Sequence, residues 1–479
     1  MIPDYTQWLW AFVGAVIGIL SVGVLIFIIL VIKEIRVKKL KHRRLLIRLD
    51  TARSMLKEDM PFDALKIYQE IDKLVDPIDD QDLYIEIKKG EGECYLSLYN
   101  KTGKTDFLEN AISSFEKVIN LDDTQEVVPD LADVRLTLGT LYIKKSDQRD
   151  KEKNLKKAIH HLDTSLKTFA IQGVEPQRLA YINSLLGKAY YDTILDGDVD
   201  GIKKAIDYNE DALLFYTYEN YPIHYAEISA MLGDLYNALS DKENKMENLA
   251  RAMGYYKQSL AVYSSDDFLK EFGEIQLKLA EGYIKISKIE DKNRHLMNAI
   301  VSYQDALRYY TMDKDPKTYA DIHKKLADIY ESFASNSKER EEILENLTRA
   351  RDALKNAIFI LEKERLLEDL ADQMSRFADI VLKEYEHIKS DKLLKEALDY
   401  YKKAADIRTK DKYPFEYAVI KKKIGDVYKI IARVTNWSEN MVNARQSYVD
   451  SLKVFTIDKY PFWYKEVKTA MDEIDRLAF

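Results

Sequence analysis

An all-α fold is predicted by three features of the sequence: a near absence of strand and turn signals, one long uncharged N-terminal run, and two landmarks recurring in register about every 47 residues. The architecture they imply is one N-terminal transmembrane helix followed by an α-solenoid of about eight to nine helical hairpins. Sixteen Gly and nine Pro are few for 479 residues, and hardly any run alternates apolar and polar side chains, so strands have little support. With 46% hydrophobic and 32% charged side chains the chain has ample material for a folded body. The single cysteine, Cys94, excludes an internal disulfide framework and a Cys-based zinc cluster and reads as a buried small hydrophobe.

The elements follow in order. Residues 1–7 form a short N-terminus, expected outside the cell. From Trp8 to Ile32 there are 25 residues without a charge, enough as a helix to cross a hydrocarbon core of about 30 Å. Trp8 and Trp10 stand at one end of this run, where indoles favour a membrane interface, and cations follow directly at the other. The neck, residues 33–48, carries Lys33, Arg36, Lys38, Lys39, Lys41, Arg43, Arg44 and Arg48 against Glu34 alone. The positive-inside tendency then predicts a single-pass cell-membrane protein, a signal anchor with the body in the cytoplasm. A cleaved secretory signal fits less well, because its charges would precede the apolar run. The neck cations suit either a topology determinant or a surface for anionic lipid. Gly14 and Gly18 make a Gly-x-x-x-Gly step through which two such helices could form a homodimer.

Residues 49–479 repeat. An alanine recurs as Ala111, Ala158, Ala205, Ala252, Ala299, Ala350, Ala397 and Ala444, at 47-residue intervals broken by one step of 51. Stepping back another 47 reaches Ala64. A second, small residue recurs as Gly92, Gly139, Gly187, Gly233, Ala280, Ala327, Ala378 and Gly425. Two landmarks in register mean one supersecondary unit used many times. Three residues after the small one stands Tyr95, Tyr142, Tyr190, Tyr236, Tyr283, Tyr330 or Tyr428, with Val381 the exception, and this ring is expected to fill the gap that the small residue opens. Four and seven residues after the alanine come an aromatic and a small residue, as in Tyr256 and Ser259, Tyr303 and Ala306, or Tyr401 and Ala404. That is one buried stripe per helix. Pro129, Pro176, Pro222, Pro316, Pro414 and Pro461 read as first-turn prolines opening the first helix of a unit. The last segment, 461–477, reads as an unpaired, polar capping helix.

These residues resemble the tetratricopeptide (TPR) repeat, whose antiparallel helices show Leu-Gly-x-x-Tyr in the first and Ala-x-x-x-aromatic-x-x-Ala in the second. The resemblance covers about residues 45–479. It departs from the family in a lengthened hairpin tip, since Gly92 to Ala111 spans 19 residues where the family has 12. It implies a protein-binding array, with a concave face that includes the positions one after and six before the small residue. In the second half of the chain these are Glu227, Asp234, Glu274, Glu281, Asp321, Asp328, Asp372, Asp379 and Asp426. An almost uniformly acidic groove favours a basic protein segment or the cytoplasmic face of a membrane protein. An ordinary solvated helix face is the alternative reading. The acidity counts against the lysine- and asparagine-lined clamp some family members use for acidic peptide termini.

The function these features predict is a membrane-anchored scaffold or adaptor that recruits or assembles partner proteins. The alternatives are a fixed assembly subunit of a membrane complex, or a receptor-like TPR protein of an organelle membrane. Net charge is -8, and the acidic body argues against nucleic acid. No enzyme, cofactor or metal is expected. The seven histidines show no ligand spacing. Gly103-Lys104-Thr105 lacks the upstream glycine and strand of a phosphate loop and reads as a hairpin tip.

Overall fold

Helix pairs begin where the prolines stand. In the computed structural model Pro176, Pro222, Pro316, Pro414 and Pro461 are each the first residue of a helix, where a missing N–H costs nothing and a fixed φ is already helical. The structure describes the backbone except at residues 1–4, 78–79, 122–130, 194–197, 265 and 478–479, and the side chains of residues 5–28 and 477 also lie outside the description. Pro129 falls among the former.

The chain divides into two compact units. Residues 1–216 hold α1 (Tyr5–Lys57), α2 (Pro61–Asp72), α3 (Gln81–Thr102), α4 (Thr105–Asn120), α5 (Ala132–Ser146), α6 (Lys151–Gln172), α7 (Pro176–Thr193) and α8 (Val199–Leu213). Residues 217–479 hold α9 (Pro222–Ser240), α10 (Lys245–Val262), α11 (Leu269–Ser287), α12 (Lys292–Ala306), α13 (Pro316–Asn336), α14 (Arg340–Lys363), α15 (Leu367–Ile388), α16 (Asp391–Ile407), α17 (Pro414–Ala432), α18 (Trp437–Leu452) and α19 (Pro461–Leu477). Each odd-numbered helix up to α17 packs on the one after it, giving a run of hairpins, and α19 packs on α18. The architecture is an all-α, TPR-like array of helical repeats.

The recurring alanines are where the hairpin helices approach closely. From Ala64 to Ala444 every one is 0–1% exposed, which leaves no room for a larger side chain. Seven residues on, the Ser165 and Ser451 hydroxyls each donate to a backbone carbonyl of the facing helix, Ala132 O and Ala418 O, at 2.8 Å. The tips are built alike. Asp150, Asn244, Asp291 and Asn436 take left-handed φ of 49°, 44°, 37° and 45° immediately before the second helix. In three of these units a buried asparagine then reaches back across the tip: Asn154, Asn248 and Asn440 donate to the carbonyls of Arg149, Glu243 and Thr435. This satisfies a tip carbonyl that would otherwise be orphaned. The single step of 51 residues is absorbed in the hairpin of α13 and α14, whose 21- and 24-residue helices extend its tip.

Two expectations are corrected. The first is the membrane anchor. Among the described residues no helix is long and apolar enough to cross a membrane, so the fold class loses its transmembrane helix and the single-pass localisation falls with it. The backbone of residues 8–32 belongs instead to α1, a helix that runs unbroken from Tyr5 to Lys57 into the first hairpin. Its described side chains begin with Ile29, Leu30, Val31 and Ile32 and pass at once into Lys33 and the cationic neck, where burying charges in hydrocarbon is prohibitive. Gly14 and Gly18 lie outside the described side chains.

The second concerns the tyrosines. The space over each glycine of this series is filled by the second helix of its own hairpin: a Cβ on Gly233 would lie 2.4 Å from the Tyr256 ring, and one on Gly425 2.5 Å from Tyr448. Phe115 fills the same space over Gly92. The tyrosine three residues after the small one goes elsewhere, as Tyr236 stacking on Tyr255 at 5.6 Å and Tyr190 on Tyr208 at 5.7 Å show.

Candidate functional site

The carboxylate one residue after the small position sits beside the ring that covers that position, and this fixes its chemistry. Tyr256 donates to Asp234 at 2.8 Å, Tyr401 donates to Asp379, and Tyr448 donates to Asp426 at 2.7 Å. The rings are buried within the hairpin and only the hydroxyl reaches the face where the acids stand. Burial and the neighbouring carboxylate push the Tyr401 and Tyr448 phenols well above their ordinary range, so both stay protonated donors.

The same carboxylates are held from the next hairpin. Lys278 of α11 donates to Asp234 at 2.7 Å, and Lys423 of α17 reaches both Asp379 oxygens at 2.7 and 2.8 Å. Arg376 of α15 pairs with Asp328 at 2.7 Å and with Glu331 at 2.6 Å. Asp426 takes its cation from within its own helix, Lys422 at 3.0 Å. The second acidic series is partly neutralised too. Asp321 and Asp369 share Lys324 at 2.7 and 2.6 Å; burial works against the Lys324 charge, but these two hydrogen bonds outweigh it and hold its pKa up. Arg408, 7% exposed, meets both Asp372 oxygens at 2.9 Å. Glu274 has Lys270 at 3.7 Å. Among the described residues no hydrogen bond or ion pair holds Glu227 or Glu281, both exposed.

The predicted acidic strip is therefore a ladder of alternating charge in the second unit. Its cations, Lys278, Lys325, Arg376 and Lys423, all stand two residues before the small residue of their repeat, a periodicity present in the sequence that the acid series alone does not reveal. The neck cations are placed differently: Arg48 pairs with Glu70 and Lys38 with Glu34 at 3.8 Å, while Lys33, Arg36, Lys39, Lys41, Arg43 and Arg44 are exposed.

Among the described residues no group of His, Cys, Asp and Glu is placed to hold a metal ion. His161 stacks on Tyr142 with rings 4° from parallel, and His323 packs on Tyr319 at 4.4 Å; burial pushes both imidazoles down to about 4. The Cys94 thiol is fully buried and pushed up to about 12 by desolvation, which leaves it unreactive. Gly103 closes α3 with φ 68°, a left-handed helix cap.

No family model and no curated protein matches the chain. Solved structures similar to it include the C-terminal part of a TPR repeat-containing protein from Cytophaga hutchinsonii, at 13% identity over 65% of this chain and 95% of that one, with a TM-score of 0.37. RapI in its apo form is similar at 14% identity over 86% and 97%, TM-score 0.36. The TPR domain of P58(IPK) is similar at 14% identity over 91% and 98%, TM-score 0.23. The likeness is of helical repeats to helical repeats and carries nothing about partner or ligand.

Proposed function

We propose that the chain is a protein-interaction scaffold whose second unit receives a partner bearing basic side chains on the face formed by α9, α11, α13, α15 and α17. One observation carries this reading. At two equivalent positions of successive repeats the face presents Glu227, Asp234, Glu274, Glu281, Asp321, Asp328, Asp372, Asp379 and Asp426, and every one keeps access to solvent.

Their pairing with lysine and arginine lowers the net field but sharpens the arrangement. A carboxylate held by a tyrosine hydroxyl and a neighbouring lysine has little rotamer freedom left to lose, so an incoming cation meets a preorganised acceptor. A face of fixed alternating charges selects its partner by register more than by net charge. The carboxylates without a partner, Glu227 and Glu281, are where added positive charge is least opposed.

The test exploits that difference. Glu227→Lys together with Glu281→Lys reverses charge at two exposed positions without breaking any of the existing pairs. Co-purification of the full chain and its variant, with circular dichroism to establish equal folding, should show a specific protein lost from the variant. An unchanged set of partners, bound equally at low and high salt, would end this reading.

A further inference from the structure

The ladder of the second unit has one open rung. By register, the carboxylate at each small position is matched with a cation two residues before the next small residue: Asp234 with Lys278, Asp328 with Arg376, Asp379 with Lys423. The same register matches Glu281 with Lys325, yet these two make no ion pair. The tyrosine of this repeat is also idle. Tyr303 is 1% exposed and occupies the place of Tyr256, Tyr401 and Tyr448, but its hydroxyl has no hydrogen-bond partner. The chemical difference is one methylene: where its equivalents are aspartates, residue 281 is the longer glutamate, and no hydrogen bond joins it to the phenol.

A cavity of 540 Å3 lies at this rung, lined by Glu281, Tyr303 and Lys325 and walled by Leu277 and Ile322. Gln373 completes it. Its side-chain N–H donates to Asp369 at 3.0 Å, which leaves its carbonyl oxygen as a buried acceptor with no partner. The other charges lining the cavity are already consumed by one another, Asp321 by Lys324 and Asp328 by Arg376. What remains unsatisfied is a set of acceptors: the Gln373 carbonyl, the Glu281 carboxylate and the lone pairs of a phenol. A buried polar atom left unpaired is destabilising, so the cavity as it stands favours any group that satisfies the Gln373 and Tyr303 oxygens.

We infer that the open rung seats the side chain of a lysine from a protein partner, its ammonium taking the place that Lys278 and Lys423 hold at the closed rungs. This rests on the scaffold reading above and names its anchoring point. The methylene stem lies against Leu277 and Ile322, and the ammonium donates to Glu281, Gln373 and Tyr303, three acceptors for three N–H donors. An anion is disfavoured, because of the cations lining the cavity Lys324 and Arg376 are held in ion pairs and Lys325 is exposed. Lys325 lines the cavity without engaging Glu281 and is the like charge that a partner's lysine must approach. A free polyamine has the same chemistry of an alkyl stem ending in a cation; the partner's side chain is favoured because the mouth opens on the face that carries the other carboxylates.

Calorimetric titration of the full chain with a capped alternating Gly-Lys octapeptide, with spermidine, and with the matching Gly-Glu peptide tests the seat. The Gly-Lys peptide should bind and the Gly-Glu peptide should not. Glu281→Gln and Tyr303→Phe should each weaken the Gly-Lys peptide about tenfold, the effect of losing one charge-assisted contact. Lys325→Met should tighten it several-fold by removing a like charge from the lining, and at an exposed position this variant folds even if Tyr303→Phe does not. Unchanged binding in all three variants, with Glu227→Lys still abolishing it, would overturn the seat and leave the scaffold reading standing. No binding of the Gly-Lys peptide to the wild type would overturn both. Binding of spermidine alone, weakened by the same substitutions, would overturn the partner lysine in favour of a free polyamine.

Discussion

Tyr448 donates its hydroxyl to Asp426 at 2.7 Å across the hairpin of α17 and α18, and the two lie 22 residues apart. The spacing is the same for Tyr256 with Asp234 and Tyr401 with Asp379. One contact thus joins the packing of the repeat to the charge of its face: the ring fills the space above a small residue while its oxygen fixes the next residue's carboxylate.

Tyr448→Phe keeps the ring and removes only that donor. It should lower the stability of the second unit by about 1.5–3 kcal/mol, the range for a hydrogen bond to a charged group, as read from urea unfolding. Tyr448→Leu should cost more, because the space over Gly425 is then also emptied. Equal costs for the two substitutions would mean that the hydroxyl contributes nothing.

The buried phenols also set an alkaline limit. Burial pushes Tyr142, Tyr263 and Tyr310 up to about 12. An unfolded chain ionises its tyrosines near 10 while the folded one holds these protons, so the folded state binds more protons and stability falls as pH rises from 10 toward 12. Absorbance at 295 nm should show a class of tyrosines titrating late and together with loss of helix. A single transition at the ordinary phenol pKa, with the helix intact, would contradict this.

Much of the array is legible in the sequence because its cause is local. Ala252 or Ala397 must be alanine where two helices touch, and Pro222 or Pro414 opens a helix wherever it stands, so period and helix starts can be read directly. What fills the space over Gly233 is not local. Tyr236 and Tyr256 are both aromatic at helical spacing, and only the hairpin's geometry assigns the gap to the second. The ladder is obscured for a similar reason: Asp234 and Lys278 are 44 residues apart on different repeats, so composition shows an acidic series while the structure shows pairs. Residues 8–32 illustrate the opposite error, in which an uncharged run invites a membrane reading that the described helix does not support.

The tip asparagines are the cheapest place to test the repeat itself. Asn248, 5% exposed, donates to the Glu243 carbonyl at 2.8 Å, as Asn154 and Asn440 do at their own tips. Asn248→Ala leaves that carbonyl without its buried donor and should cost about 1–2 kcal/mol, with faster amide exchange at residues 241–248 before any other part of the unit. Asn248→Asp should cost at least as much, since a carboxylate cannot donate to a carbonyl. Wild-type exchange in both variants would show the contact to be idle.

Lys423 and Asp379 offer a direct measure of what a closed rung contributes. Both are about a third exposed, at 30% and 37%, so the pair is screened and its coupling in a double-mutant cycle of Lys423→Met and Asp379→Asn should be only about 1 kcal/mol. It should shrink further at high salt. Lys325→Met, at the open rung, has no such coupling with Glu281→Gln, because no ion pair joins those residues. A coupling at Lys325 equal to that at Lys423 would show the rung to be closed.

Acid should act through the two buried imidazoles. His323 has neither ring nitrogen hydrogen-bonded and His161 has its Nδ1 unpartnered; burial pushes both down to about 4. The unfolded chain takes up these protons near pH 6.5 and the folded one only near 4, so the unfolded state binds more protons between those values. Stability is therefore complete above about pH 6.5 and is lost as pH falls toward 4, with a maximum of about 3 kcal/mol for each group. His323→Leu removes a group that hydrogen-bonds nothing and keeps an apolar side chain against Tyr319. Its thermal melting temperature should match or exceed that of the wild type at pH 7, and the gap should widen at pH 5. A gap that stays constant between the two pH values would mean that His323 takes up its proton at the same pH in the folded and unfolded chain, and that its burial does not oppose the charge.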